Sequence, residues 1–161
     1  MSLLVSNTGP LIALGAIDAL YLLPQLYERV VIPDEVREEL NAAPHGIMRF
    51  PFAETADWLE VQKVATPVDP LLITVLDWGE AAVIQLAREL HADMVLIDEQ
   101  KGRKVARSVY HLRVIGTVRV LLDAKSNGLI SSVGTALKDM RRNGYWLHDT
   151  ILQRALLEAG E

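Results

Sequence analysis

The sequence contains no cysteine among its 161 residues, which excludes a disulfide framework, a thiolate metal site and a thiol nucleophile. It also lacks an apolar run of the roughly 20 residues that a membrane-spanning helix needs. The longest run, from Leu11 to Leu23, is interrupted by Gly15 and Asp18. The first residues carry no basic leader ahead of a long apolar segment. We therefore expect a cytoplasmic protein that has no membrane partner.

A basic excess is missing as well, since the formal net charge is −5 at pH 7. Broad, non-specific binding of nucleic acids usually requires an overall basic surface, so we do not expect it here. An enzyme that cuts RNA remains possible, because metal-binding carboxylates themselves make the balance negative. Repeats, low-complexity tracts and Gly/Ser-rich linkers are absent, and half of the residues are hydrophobic. This composition predicts one domain over residues 1–161 with a substantial core.

Short apolar segments alternate along the chain with segments of helical periodicity. This alternation predicts an α/β fold with a mostly parallel sheet covered by helices on both faces. The predicted strands are Leu3–Ser6, Arg29–Ile32, Trp58–Val64, Met94–Ile97 and Arg113–Ile115. Helices are predicted after Asn7 or Thr8, from Asp18 until Pro24 ends that stretch, after Asp34, and over Asp77–Leu90, Lys101–Tyr110, Val118–Ser126, Ser132–Arg142 and Asp149–Ala159. Residues 42–70 are predicted to be the least regular part.

Oxygen-bearing side chains follow the predicted strands. Asn7 comes directly after the first strand, Glu39 follows the second, Glu80 opens the helix that begins near Asp77, and Asp98 ends the Met94–Ile97 strand. In a parallel α/β sheet the functional crevice lies beyond the carboxyl ends of the strands. Carboxylates gathered there repel one another, and a divalent cation such as Mg²⁺, which prefers oxygen ligands, removes that repulsion. Such an ion can also orient a water for attack on a phosphate.

Each of these residues also has a purely structural interpretation. Asp77 and Glu80 fit a capping box, and Asp98 is placed to cap the helix that follows it. Glu39 fits a solvated charge on a short surface helix, and Asn7 fits a cap or an Asx-turn. Both interpretations stay open at this level.

A cluster of cations follows Asp98 in the predicted helix from Lys101. It consists of Lys101, Arg103, Lys104 and Arg107. We expect these side chains to track a phosphate backbone near the acidic residues, and the alternative is a solvated helix face with ordinary charge pairing. No glycine-rich phosphate loop, histidine metal motif or serine nucleophile elbow offers competing chemistry.

Four motifs in this order resemble those of PIN-domain proteins. They are Val5–Ile12, Ile32–Leu40, Asp77–Ala82, and Leu96–Glu99 with Arg103 and Ala106. The Gly116-Thr117 step, Ala124-Lys125 and Gly128–Ile130 resemble a branch of small prokaryotic proteins related to the VapC-type toxins.

The resemblance implies a three-layer α/β/α fold and a Mg²⁺- or Mn²⁺-dependent endoribonuclease that is often a homodimer. In toxin members a small antitoxin protein blocks the site. Matched by motif, the metal-binding and catalytic positions are Asn7, Glu39, Glu80 and Asp98, and Asn7 stands where the family usually has Asp. For the homodimer, we expect exposed apolar residues of Val118–Leu122 to form the interface.

Two functions follow as hypotheses. The first is a metal-dependent ribonuclease that is the toxin of a toxin–antitoxin pair. The second is a PIN-fold module that has lost catalysis and binds RNA or a protein, which the neutral Asn7 favours. An interaction domain without any role in nucleic-acid chemistry is the third possibility.

Overall fold

A central sheet of five parallel strands organises the described part of the chain. The computed structural model describes residues 2–43 and 57–161. The strands are β1 (Leu3–Ser6), β2 (Arg29–Pro33), β3 (Leu59–Gln62), β4 (Met94–Leu96) and β5 (Val114–Ile115), in the order β3-β2-β1-β4-β5. Val5 of β1 pairs with Val31 on one side and with Val95 on the other. The predicted parallel sheet is therefore confirmed, with every strand pair parallel.

Nine helices flank this sheet within the described residues. They are α1 (Thr8–Ala16), α2 (Leu22–Leu26), α3 (Asp34–Ala42), α4 (Pro70–Val75), α5 (Trp78–Leu90), α6 (Gln100–Ser108), α7 (Thr117–Ser126), α8 (Val133–Arg142) and α9 (Asp149–Ala159). Helix α5 packs against β1, β2 and β4, whereas α7, α8 and α9 pack against one another. Gly128 and Gly144, which follow α7 and α8, have φ values of +75° and +93°, a left-handed conformation that commonly ends helices.

The middle strands are apolar along their whole length because helices cover both faces of the sheet. Val5, Val31, Ile32, Val95 and Leu96 are completely buried. The hydrophobic burial that stabilises this layer therefore fixes β1 and β4 side by side. That placement sets the positions of Asn7, which follows β1 directly, and of Asp98, which lies two residues beyond the end of β4.

Two predictions in the first third of the chain are wrong. Asp18 does not restart a helix, because its φ of +57° places it in the left-handed region, where a helix cannot continue. Pro24 does not end a helix either, since it lies inside α2. It occupies the first turn, where a proline costs little because the missing N–H has no intrahelical acceptor.

Part of the segment predicted to be irregular lies outside the described residues, namely residues 44–56. Beyond it the structure adds α4, which the sequence did not predict. Asp69 caps this helix by accepting a hydrogen bond of 3.0 Å from the backbone N–H of Leu71, and Pro70 occupies its first position. A short helix with a capping aspartate and a first-turn proline follows the general rule for helix starts.

The predicted exposed apolar surface on α7 is also wrong. Val120 and Leu121 are completely buried, and Leu122 is almost so, because α2 and α9 pack against this helix. No dimer interface is therefore available from these three side chains. Among the described residues, every helix is too short or too polar to cross a bilayer.

Candidate active site at the carboxyl edge of the sheet

A cleft of about 830 Å³ opens at the carboxyl edge of the sheet, beyond β1 and β4. Ser6 pairs with Leu96, and the backbone N–H of Asn7 donates to the carbonyl oxygen of Leu96 at 3.0 Å. The two neighbouring strands therefore deliver Asn7 and Asp98 to the same edge. Three of the four predicted ligands line the cleft, namely Asn7, Glu39 and Asp98. Three further carboxylates also line it, namely Asp77, Glu99 and, on α9, Glu158.

Asn7 occupies the N-cap position of α1, but its side chain does not perform the capping function. Its φ of −81° and ψ of 171° are extended, and no cap hydrogen bond forms. Within residues 2–43 and 57–161 the amide has no other hydrogen-bond partner. The structural interpretation of Asn7 as a cap or an Asx-turn is therefore wrong, and its oxygen is available to the cleft.

Glu39 is positioned by the two helices that flank it. The hydroxyl of Thr8, the first residue of α1, donates a hydrogen bond to Oε2 of Glu39. On the other side Glu39 lies against Gly79 of α5, where a Cβ atom would collide with Oε1. The carboxylate thus approaches the N-terminal turn of α5, whose free N–H groups favour a negative charge. These contacts fix the position of the Glu39 carboxylate, although the residue as a whole is exposed.

Glu80 lies beneath this surface rather than in the cleft wall. It is only 4% exposed, and its Oε2 atom has no hydrogen-bond partner within the described ranges. Oxygen atoms of Asp77, Glu80 and Glu99 all lie within 4.8 Å of one another. Burial, followed by hydrogen bonding and charge from Asp77 and then Glu99, raises the pKa of Glu80 to about 8.

At the start of α5, the capping interpretation is correct for Asp77 and wrong for Glu80. Asp77 is a cap, because its Oδ1 accepts a hydrogen bond of 2.8 Å from the backbone N–H of Glu80. Glu80 is not a cap, since no backbone N–H of the described chain donates to its carboxylate. A methyl group at Gly102 of α6 would lie 2.5 Å from Oε2 of Glu80. Glycine at that position leaves the space around the unpartnered oxygen.

Asp98 is held at the start of α7. The backbone N–H of Thr117 donates to Oδ1 at 2.7 Å, and the Thr117 hydroxyl donates to Oδ2 at 2.5 Å. The expected alternative, a cap on the helix that follows Asp98, is therefore wrong. The Tyr145 phenol interacts with both Thr117 and Asp98, and its pKa is raised by burial and next by the negative charge of Asp98.

The four cations of α6 separate into one that reaches the cleft and three that do not. Arg103 is partly buried, donates a hydrogen bond of 2.8 Å to the carbonyl oxygen of Ile97, and lines the cleft. Burial lowers its pKa, and the nearby Arg107 adds to that effect. Lys101, Lys104 and Arg107 are exposed on the outer side of α6, and none forms an ion pair in the part of the chain described.

A family model described as a PIN domain (DUF3368) matches residues 3–161, nearly the whole chain. The chain belongs to the PIN domain family. The resemblance inferred from the four motifs is thereby confirmed, and with it the α/β/α fold. PIN domains are generally nucleases, so the family points to hydrolysis of nucleic acid. Comparisons with curated proteins and with solved structures give no match.

Sequence reasoning missed two carboxylates of this PIN domain, Asp77 and Glu99, as site candidates. Asp77 was assigned only to capping, although it lies three residues before Glu80 and so shares its side of the helix start. Glu99 was passed over beside Asp98. The pair of adjacent acids Asp98-Glu99 could have indicated Glu99 as a candidate. Successive side chains at the end of a strand point in different directions, so each of the two acids can contact a different neighbouring element.

Proposed function

We propose that this PIN domain is a divalent-cation-dependent endoribonuclease. The observation that supports it best is the buried carboxylate of Glu80, whose Oε2 has no hydrogen-bond partner among the described residues and which lies together with the carboxylates of Asp77 and Glu99. Burying a carboxylate among other carboxylates is unfavourable unless a cation or protons neutralise them. The donor set, made only of oxygen atoms, fits hard cations such as Mg²⁺ and Mn²⁺.

The proposed ligands are Asn7, Glu39, Glu80 and Asp98, with Asp77 and Glu99 as additional carboxylates around them. When bound, a divalent cation would neutralise charge on the phosphate and lower the pKa of a coordinated water. The chain itself contributes positioning. Thr8 holds Glu39 and Thr117 holds Asp98, so neither carboxylate loses side-chain freedom when an ion arrives.

The proposed substrate is an RNA phosphodiester, the chemistry that the family and the cations of α6 support together. Arg103 lies in the cleft with Asp98 and supplies a positive charge for a phosphate oxygen. Lys101, Lys104 and Arg107 project outward without ion-pair partners in the described chain, so they are free to follow the strand beyond the cleft.

We also propose that the protein is the toxin of a toxin–antitoxin pair and forms a homodimer. The motif similarity to the VapC-type branch supports this role, and the open cleft offers a surface that a small antitoxin protein would cover. The test is to co-express the product of the neighbouring reading frame and measure both complex formation and RNA cleavage. A neighbouring product that neither binds nor inhibits contradicts the toxin role.

The enzymatic proposal is tested by incubating the purified protein with RNA in Mg²⁺ or Mn²⁺, with and without EDTA. We expect cleavage that EDTA abolishes and that is lost in the double variant Asp98→Asn, Glu80→Gln. Glu89→Gln is the matched control, because Glu89 lies at the far end of α5 and its carboxylate accepts hydrogen bonds from Ala65 and Thr66. Cleavage that persists in EDTA or in the double variant refutes the proposal.

The second candidate is a PIN-fold module that binds RNA or a protein without cutting. One observation favours it: Asn7 is neutral, while an Asp is usual at that position in the family. The Asn7→Asp variant separates the two candidates, because only a decayed site gains cleavage strongly when the charge is restored.

A further inference from the structure

The cleft continues away from the carboxylates along α7 and α9. On this arm it is lined mainly by apolar side chains, namely Val118, Leu122, Trp146, Ile151 and Ala155. The carboxylate of Glu158, which lies on the same arm, is paired with Arg119. The same cleft therefore has a carboxylate edge, which suits a cation and a phosphate, and an apolar arm. Neither a cation nor a phosphate would gain from contact with that arm. The apolar arm is suited to contact a flat or apolar part of the same ligand.

Trp146 dominates this arm. Its side chain is 79% exposed, which is unfavourable for an indole. Among the described residues its ring neighbour is His148, at a centroid distance of 6.2 Å. The His148 ring meets it edge-on at 69°, so the contact leaves a face of the indole open. Tyr145, the preceding residue, interacts with Asp98, so the backbone ties the indole to the carboxylate edge.

The two arginines on the same arm differ in whether their charge is paired. Arg119 is neutralised, because its guanidinium donates to Glu158 at 2.7 Å and lies 3.5 Å from Asp123. Arg154 is exposed, lines the cleft and has no ion-pair or hydrogen-bond partner among the residues described. An open indole face and a guanidinium without a partner among the described residues thus line the same cleft.

We propose that this arm binds an unpaired nucleotide, with its base stacked on Trp146 and a neighbouring phosphate paired with Arg154. The inference adds a nucleotide subsite formed by these two residues, and it rests on the proposed ribonuclease function. Duplex RNA cannot use the platform because its bases are stacked on one another. Unstacked bases, by contrast, are commonly recognised by aromatic side chains.

The experiment measures binding apart from cleavage. A fluorescein-labelled single-stranded RNA and the corresponding duplex are titrated with full-length protein in Ca²⁺, and a denaturing gel checks that the RNA stays intact. We expect Trp146→Ala to weaken single-strand binding roughly 5- to 150-fold, the effect of losing one base–aromatic stack. Trp146→Tyr keeps most of the affinity, and duplex binding is weak in every variant.

Trp78→Ala is the matched control, because Trp78 is also a highly exposed tryptophan, at 62%, but lies outside the cleft lining. It should leave single-strand binding unchanged. A second variant, Arg154→Gln, should reduce the slope of log affinity against log salt by about 0.7, the contribution of one phosphate contact to a single strand. Both substitutions change exposed side chains, so the fold is retained.

Each of the following binding results overturns the proposal: equal affinity in Trp146→Ala, an equal loss in Trp78→Ala, duplex bound as tightly as single strand, or no single-strand binding by the wild type. If Trp146→Ala affects only complex formation with a protein partner, the arm is a protein-docking surface and the proposal fails. Selective single-strand binding without any cleavage in Mn²⁺ refutes the ribonuclease function while supporting the platform. Cleavage with an unchanged KM in Trp146→Ala supports the ribonuclease function and refutes the stacking of a base on Trp146.

Discussion

Replacing Glu80 by Gln should stabilise the cation-free protein at alkaline pH, although it removes a buried charged residue. The pKa of Glu80 is raised from its ordinary value of 4.5 to about 8, with burial as the main cause and Asp77 and Glu99 as further causes. The folded protein therefore binds a proton that the unfolded chain releases. Its stability is complete below pH 4.5 and declines as the pH rises toward 8 and above.

The size of the stability difference follows from the interval between the ordinary pKa of a glutamate, 4.5, and the raised pKa of Glu80, about 8. Each pKa unit corresponds to about 1.4 kcal/mol, so the interval sets an upper limit of about 5 kcal/mol above pH 8. Asp77 and Glu99 are exposed, and solvent screens their charges from Glu80. We therefore expect Glu80→Gln to be more stable than the wild type by roughly 2 kcal/mol at pH 9 in EDTA, with little difference at pH 5.

Urea denaturation followed by circular dichroism between pH 5 and pH 9 measures this difference. Adding Mn²⁺ provides a second comparison, because a cation at 100 times its Kd stabilises the native state by about 2.7 kcal/mol. That gain should appear in the wild type and disappear in Glu80→Gln. A Gln variant that is less stable than the wild type at pH 9 refutes the reasoning, since the carboxylate would then be satisfied as an anion. Glu89→Gln, which breaks hydrogen bonds to Ala65 and Thr66, should lower stability at both pH values.

Three further predictions follow from the same contacts. Asn7→Asp should bind Mn²⁺ several-fold more tightly by calorimetry while raising cleavage less than about tenfold, and a much larger gain in cleavage contradicts an active wild-type site. Gly102→Ala should destabilise the protein by about 1–3 kcal/mol in urea because its methyl group meets Glu80, whereas Gly9→Ala, where nothing lies within 4 Å, should be neutral or stabilising. Glu161→Gln should lower Tm at pH 7, because Lys125 and the hydrogen bonds at the start of α8 lower the pKa of Glu161 to about 2. That difference should shrink as the pH falls from 4.5 through 2, and a constant difference contradicts it.

The parts of the fold that could be predicted are those that depend on one-dimensional patterns. Strands β1 and β4 are continuous apolar runs ended by polar residues, and their pattern is the direct consequence of burial on both faces. Asn7 and Asp98, which lie just beyond the ends of these strands, can therefore be placed at one edge of the sheet from the sequence. Asp18 and Pro24 could not be predicted in the same way, because a left-handed residue and a first-turn proline depend on where the neighbouring helices begin.

The grouping of carboxylates could not be predicted either, because it depends on side-chain direction rather than on position along the chain. Glu80 was expected beside Asn7 and Asp98, but it is buried against Asp77 and Glu99. What brings those three together is the close approach of α6 to α5 at Gly102, a contact between segments that no local pattern encodes. Trp146 was missed for a related reason, since a single aromatic residue in a loop has no periodicity to reveal its exposure.

This grouping changes what the neutral Asn7 implies. Asp98 and Glu39 each accept hydrogen bonds from threonines, so part of their charge is already stabilised in the protein without a cation. Glu80 has no such partner for its Oε2, and two more carboxylates face it. The free energy gained when a cation binds is largest where negative charge is least stabilised beforehand. Under the proposed function, cation affinity should therefore depend more on Glu80 than on the residue at position 7, so that a neutral Asn7 is compatible with an active site.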